Sequence, residues 1–142
     1  MSFVRFLTAT LVTAAVLALP ALAGSAPSIH GGGSSQDMTR FALAINNGTG
    51  HFECLMPKLM TVEATVTDID TINATSASFH GTASVTLATA NPFGLPAGPM
   101  ARGVSFTATA TAGGPLVGAL DLKIMGLEFP GTVEHGQISI GS

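Results

Sequence analysis

The chain has no tryptophan, no tyrosine and a single cysteine, Cys54. Without Trp or Tyr, a sugar-binding surface loses the amphipathic rings on which such ligands stack. One thiol makes no internal disulfide, so an exported domain of this sequence must be stable through its core alone. Cys54 is then either a buried small hydrophobe or the link of a covalent homodimer. Charge is also scarce, at 9% of residues. With Arg5 set aside, the basic side chains are Arg40, Lys58, Arg102 and Lys123, facing eight acids. Nucleic acid is excluded on that ground, because counterion release needs a basic stripe.

Long apolar runs are missing too, except at the N-terminus. Arg5 supplies a positive start, Phe6 to Leu19 is apolar and nearly uncharged, and Pro20-Ala21-Leu22-Ala23 ends in the small-x-small pattern of a signal-peptidase site. The expected cut precedes Gly24 and leaves an exported chain of about 119 residues. The apolar run falls short of the roughly 18 residues of a bilayer span, so no permanent membrane span is expected. No cysteine follows Ala23 to carry a lipid. The compartment expected is periplasmic, extracellular or cell-surface. A chain of this length suits one domain with one core.

Residues 24–37, which contain Gly31-Gly32-Gly33-Ser34-Ser35, have little apolar content and are expected to form a flexible leader. From Met38 to the end the expected single domain shows apolar residues at period two. Phe41, Leu43 and Ile45 alternate with polar or small neighbours, and Asn46-Asn47-Gly48 predicts a hairpin turn. Further strands are expected over 50–55, 60–67, 76–87, 104–111, 120–124 and 133–140. In the longest of these, Ala77, Phe79, Gly81, Ala83, Val85 and Leu87 share one face and Ser76, Ser78, His80, Thr82, Ser84 and Thr86 the other. The parity slips between Val133 and Ile138, and Gly136 between them predicts a β-bulge. The fold class expected is all-β, an antiparallel sandwich or partly closed barrel of about seven strands.

The order of Gly50-His51-Phe52, Ala77-Ser78-Phe79-His80-Gly81-Thr82, Val104-Ser105-Phe106-Thr107-Ala108-Thr109-Ala110 with Gly113-Gly114-Pro115, Asp121-Leu122-Lys123-Ile124, and Gly131 to Ile140 carries a likeness. It resembles a small secreted all-β domain of unknown function, found alone or C-terminally in bacterial exported and surface proteins. The resemblance implies export and a β-sandwich, and no activity. Such domains commonly place an aspartate before the double glycine, where this chain has Ala112. Any cation held by that acid together with Asp121 would lose half its pair here.

Few constellations carry chemistry. His51-Phe52-Glu53-Cys54 combines an imidazole and a thiol, but alternation places His51 and Cys54 on opposite faces of a strand. Asp68-x-Asp70-x-x-Asn73 puts oxygen donors together in an expected turn without the glycine and closing glutamate of a calcium loop. An ordinary acidic turn accounts for the same residues. The cation reading takes Asp68, Asp70 and Asp121 as its ligands. No Gly-x-Ser-x-Gly elbow is present, and no pair of acids is marked by spacing, so no catalytic residue and no cofactor is assigned. Asn47-Gly48-Thr49 and Asn73-Ala74-Thr75 match the N-glycosylation pattern.

The connection expected over 88–102 holds three prolines together with Phe93, Leu95 and Met100, which have no strand partners in the pattern. They either cap the core or meet a partner. The expected function is therefore a non-enzymatic surface, matrix or protein-interaction module working through this loop and any unpaired strand edge. Low charge leaves such edges lightly guarded, which admits self-association. The alternatives are a small-ligand or calcium-binding module and a minor secreted hydrolase using Glu53, Glu63 or Asp121.

Overall fold

Two-residue alternation builds almost the whole molecule. The computed structural model describes residues 26–141, and their regular elements are all strands: β1 (Ser28–Ser35), β2 (Arg40–Asn46), β3 (Thr49–Met56), β4 (Met60–Ile72), β5 (Ser76–Leu87), β6 (Gly98–Thr111), β7 (Ala119–Ile124) and β8 (Leu127–Gly141). Each strand pairs antiparallel with the next and β8 returns to β1, closing an eight-stranded up-and-down barrel. The all-β antiparallel expectation holds. The sandwich and the count of about seven do not, because one more strand closes the sheet on itself. The expected signal segment lies outside the described residues.

The additional strand is β1, inside the stretch expected as a flexible leader. Its side chains give no periodic signal, since Ile29 is the one large apolar residue it buries. What its sequence encodes is close approach. β1 lies between β2 and β8, with Gly31 opposite Ile138 and Gly33 opposite Gly136. A Cβ on Gly33 would stand 1.9 Å from the His135 carbonyl oxygen, and one on Gly136 2.0 Å from that of Gly32. Glycine lets the two backbones meet where any other residue would hold them apart. The parity slip seen in the sequence is a bulge two positions before Gly136. Ser34 pairs with His135 and Ser35 with Val133, leaving Glu134 as the extra residue.

The interior is apolar and filled. Phe52 from β3, Phe79 from β5 and Phe106 from β6 form a triangle with ring centroids 6.2 to 6.4 Å apart. Two of the three contacts are edge-to-face, the arrangement aromatic quadrupoles favour. Ile29, Phe41, Ile45, Met56, Met60, Leu120 and Leu122 pack around them, all buried. Cys54 belongs to this core, and burial pushes its thiol up to about 12. All six positions expected to face inward on β5 do so. Outward positions are polar: His51 and Glu53 on β3, Glu63 and Thr65 on β4, Thr82, Ser84 and Thr86 on β5 are exposed or half-exposed. Apolar-in and polar-out is the reverse of a barrel whose outer wall faces lipid. No helix among the described residues is long and apolar enough to cross a membrane.

Up-and-down connectivity sends alternate turns to opposite rims. The β2–β3 turn is the expected hairpin, with Asn47 at φ 54° and Gly48 at φ 88°, the two positive values of a type I′ turn. It shares a rim with the β4–β5 turn and the 112–118 connection. The β3–β4, β5–β6 and β7–β8 turns occupy the other rim. Closure is staggered, so three strands run past their neighbours, and β8 pairs with β7 only as far as Thr132 and with β1 only from Val133. β4 pairs with β3 only as far as Val66, and β6 pairs with β7 only from Phe106 onward.

Candidate functional site

The overhang of β4 breaks the two-residue rule. Its register against β5 slips twice, leaving Thr67 and Asp70 as extra residues. Inward positions therefore fall three apart, at Val66, Ile69 and Ile72, and Asp68 and Asp70 both face outward beside Ile69. Across the ladder Asp68 pairs with His80 of β5, whose backbone is tied further by the Thr67 hydroxyl donating to its carbonyl oxygen at 3.4 Å. One ligand atom from each of Asp68, Asp70 and His80 lies within 4.8 Å of the others. His80 Nδ1 stands 2.8 and 3.0 Å from the two oxygens of Asp70, and that hydrogen bond raises the imidazole pKa. The amide of Ile69 donates to Asp68 Oδ1 at 2.9 Å and orients that carboxylate.

Two of the three expected cation ligands are thus brought together, in a strand and not in a turn. Asp121 is not with them. It sits on β7 between Thr109 of β6 and Pro130 of β8, one side-chain oxygen buried without a partner. Desolvation, with Glu128 close by, raises its pKa. Asn73 is unavailable as well: its Oδ1 accepts from the Thr75 amide, the Thr75 hydroxyl and the Ser76 amide at 2.9 to 3.0 Å, forming the turn that starts β5. The residue that sequence did not join to this pair is His80. Its outward direction was readable from alternation, but its pairing with Asp68 follows only from register.

His51 is exposed and Cys54 buried, as alternation required, so the two share no ion. Glu53 and Glu63 stand directly opposite each other on β3 and β4, on the exposed polar wall. Each also lines open outer recesses with Thr61, Thr65 or Ser84, among which no aromatic ring stands except Phe52, itself buried.

At the opposite rim the β5–β6 connection is shorter than expected, because β6 begins at Gly98. It is built around Asn91, a buried polar residue. Asn91 Nδ2 donates to the carbonyls of Ala88 and Leu95 at 2.9 and 2.8 Å, while its Oδ1 accepts from the amides of Phe93 and Leu95 at 3.1 and 3.3 Å. Pinned from inside, the loop turns its apolar side chains out: Phe93 is 41% exposed and Leu95 47%, with Met100, on β6, at 44%. Leu95, Pro96, Pro99 and Met100 line a shallow groove of about 250 Å³. Capping of the core by Phe93 and Leu95 is not what the structure shows. A second apolar pair, Leu116 and Val117, is exposed on the 112–118 connection at the other rim. Its signal in the sequence was two apolar residues following Gly113-Gly114-Pro115.

The strand edges that β4 and β6 leave are guarded. Along β6 from Gly98 to Ser105 the free edge carries Pro99, Arg102 and Gly103, the last at φ 64°, and its register against β5 slips twice. Along β4 it carries Asp68, Asp70 and two bulges. Proline, charge and bulges are the devices that discourage edge-to-edge pairing. The lightly guarded edge expected from low overall charge is therefore not found at the overhangs of β4 and β6.

A scan against protein-family models, a search of curated proteins and a search of solved structures find no match to this chain.

Proposed function

We propose that this chain is an exported, non-enzymatic β-barrel domain that serves as a surface, matrix or protein-interaction module, meeting its partner through the rim around Phe93, Leu95 and Met100. The observation that carries this is the exposure of Phe93 and Leu95, on a loop held rigid from within by Asn91, beside Met100 at the start of β6. Ordering cost is already met in such a loop, so contact with a partner keeps more of its interaction energy. The filled interior supports the same reading, since aromatic rings occupy the space where a barrel would otherwise hold a small ligand. The signal-like N-terminus and the likeness to secreted all-β domains support export. Burial of Cys54, which raises its thiol pKa and disfavours the nucleophilic thiolate, supports a non-enzymatic role.

The test is capture from the envelope and medium of the source cell by immobilised protein, comparing the natural chain with the triple substitution Phe93→Ser, Leu95→Ser, Met100→Ser. A partner retained by the first and lost by the second, with unchanged melting temperature, is the expected result. Equal capture by both removes the rim from the account.

A second reading, cation binding, is favoured by one specific observation, the convergence of Asp68, Asp70 and His80 at the other end of the barrel.

A further inference from the structure

Resting on that second reading, we propose that the cation is a divalent transition metal of zinc's class, and not calcium, held by His80 together with Asp68 and Asp70 on the outer face of β4 and β5. The donor set is the first reason. Calcium takes six to eight oxygen ligands, whereas this cluster offers two carboxylates, and the neighbouring Asn73 is spent on its own turn. An imidazole nitrogen in the set suits zinc, nickel or copper and is foreign to calcium.

Spacing is the second reason. Ligand atoms bound to a common ion through bonds of about 2.1 Å stand roughly 3 Å apart at a right angle and about 3.4 Å apart in a tetrahedral shell. His80 Nδ1 and the Asp70 oxygens are already 2.8 and 3.0 Å apart. An ion bound to both stands off the line between them, so the imidazole turns to aim Nδ1 at it while the two groups keep nearly their present separation. The hydrogen between them must leave Nδ1: from an imidazolium it goes to solvent, and in a neutral ring it is replaced by one on Nε2, so the metal-bound ring carries a single proton. Asp68 enters from the same side, one oxygen already fixed by the Ile69 amide and the other free.

The platform is the third reason. Two bulges turn both aspartates outward around Ile69, and β4 pairs with β3 only as far as Val66. Water can therefore complete the coordination shell from the open side.

Isothermal titration of the full chain with zinc chloride, and separately with calcium chloride, tests this, repeated on His80→Gln and Asp70→Asn. Both side chains are substantially exposed, at 40% and 44%, so neither substitution opens the core, and a thermal scan checks the fold. Expected are one zinc per chain, weakening by about tenfold or more in each variant, and no saturable heat from calcium. Zinc binding unchanged in His80→Gln would place the ion at His30, His51 or His135 and overturn the proposal. Saturable calcium binding that persists in His80→Gln would also overturn it while leaving the cation reading standing. No saturable binding of either ion would remove both.

Discussion

Three adjacent glycines in β1 should respond to the same substitution in three different ways. Gly32→Ala places its Cβ no nearer than 3.4 Å to any atom, the Phe41 carbonyl oxygen, at an ordinary negative φ. Restricting the unfolded chain at such a position is worth about 0.4 to 1 kcal/mol of stability, so this variant should melt at or slightly above the parent temperature. Gly31→Ala meets the Gln137 carbonyl oxygen at 2.5 Å and the Ile138 Cα at 2.9 Å, and Gly33→Ala meets the His135 oxygen at 1.9 Å at φ +146°. The opposing atoms are backbone, so relief requires β1 to move off β8 and loosens the ladder from Ser28 to Ser35. Gly126→Ala is the control for conformation alone, with φ +77° and nothing within 4 Å. It should cost about 1 kcal/mol or slightly more. Gly33→Ala should cost clearly more than that control, about 3 kcal/mol or above, the range reached when close packing is broken. Urea unfolding followed by far-ultraviolet circular dichroism measures all four. Equal stability of the Gly31, Gly32 and Gly33 variants would refute the claim that β1 is pressed against β8.

Two other expectations concern buried groups. The Cys54 thiol, raised from 9.0 to about 12 in the fold, holds its proton after the unfolded chain has released its own, so stability present below pH 9 falls by about 1.4 kcal/mol per pH unit as pH rises toward 12. Cys54→Val should lack that slope in urea midpoints taken from pH 8 to 11; parallel losses in both proteins would contradict it. Asn91→Ala removes four hydrogen bonds that organise the 88–97 connection and should cost about 1 to 3 kcal/mol. Limited proteolysis should then cut within 92–97 at rates the parent chain does not show, and unchanged cleavage would mean the loop holds its shape without Asn91.

What the sequence made legible was whatever side chains repeat. β5 was readable to its ends because six inward and six outward residues alternate without a slip. Phe41 and Phe79 fell on apolar faces by the same alternation, and both are buried. Glycine has no side chain to alternate, so β1 left a compositional signal that disorder also produces, and the closed barrel was taken for a sandwich or a partly closed barrel of about seven strands. β4 beyond Val66 was hidden differently. Its bulges change the inward spacing from two to three, and Asp68 to Asn73 then read as a turn. Grouping Asp121 with Asp68 and Asp70 failed, and His80 was not joined to them, because both depend on which strands lie side by side. That information resides in the long-range register and not in local pattern.

Amide hydrogen exchange, resolved residue by residue, reaches the central claim most directly: that a glycine-rich strand closes a filled barrel and leaves interaction to its outside and rims. Amides of Ile29 to Gly33 that are engaged in the ladders to β2 and β8 should exchange as slowly as those of the β2–β3 pair, with cross-strand contacts between Gly31 and Ile138. Exchange of all these amides at the rate of an unstructured peptide, with β2 and β8 protected, would show a barrel that does not close.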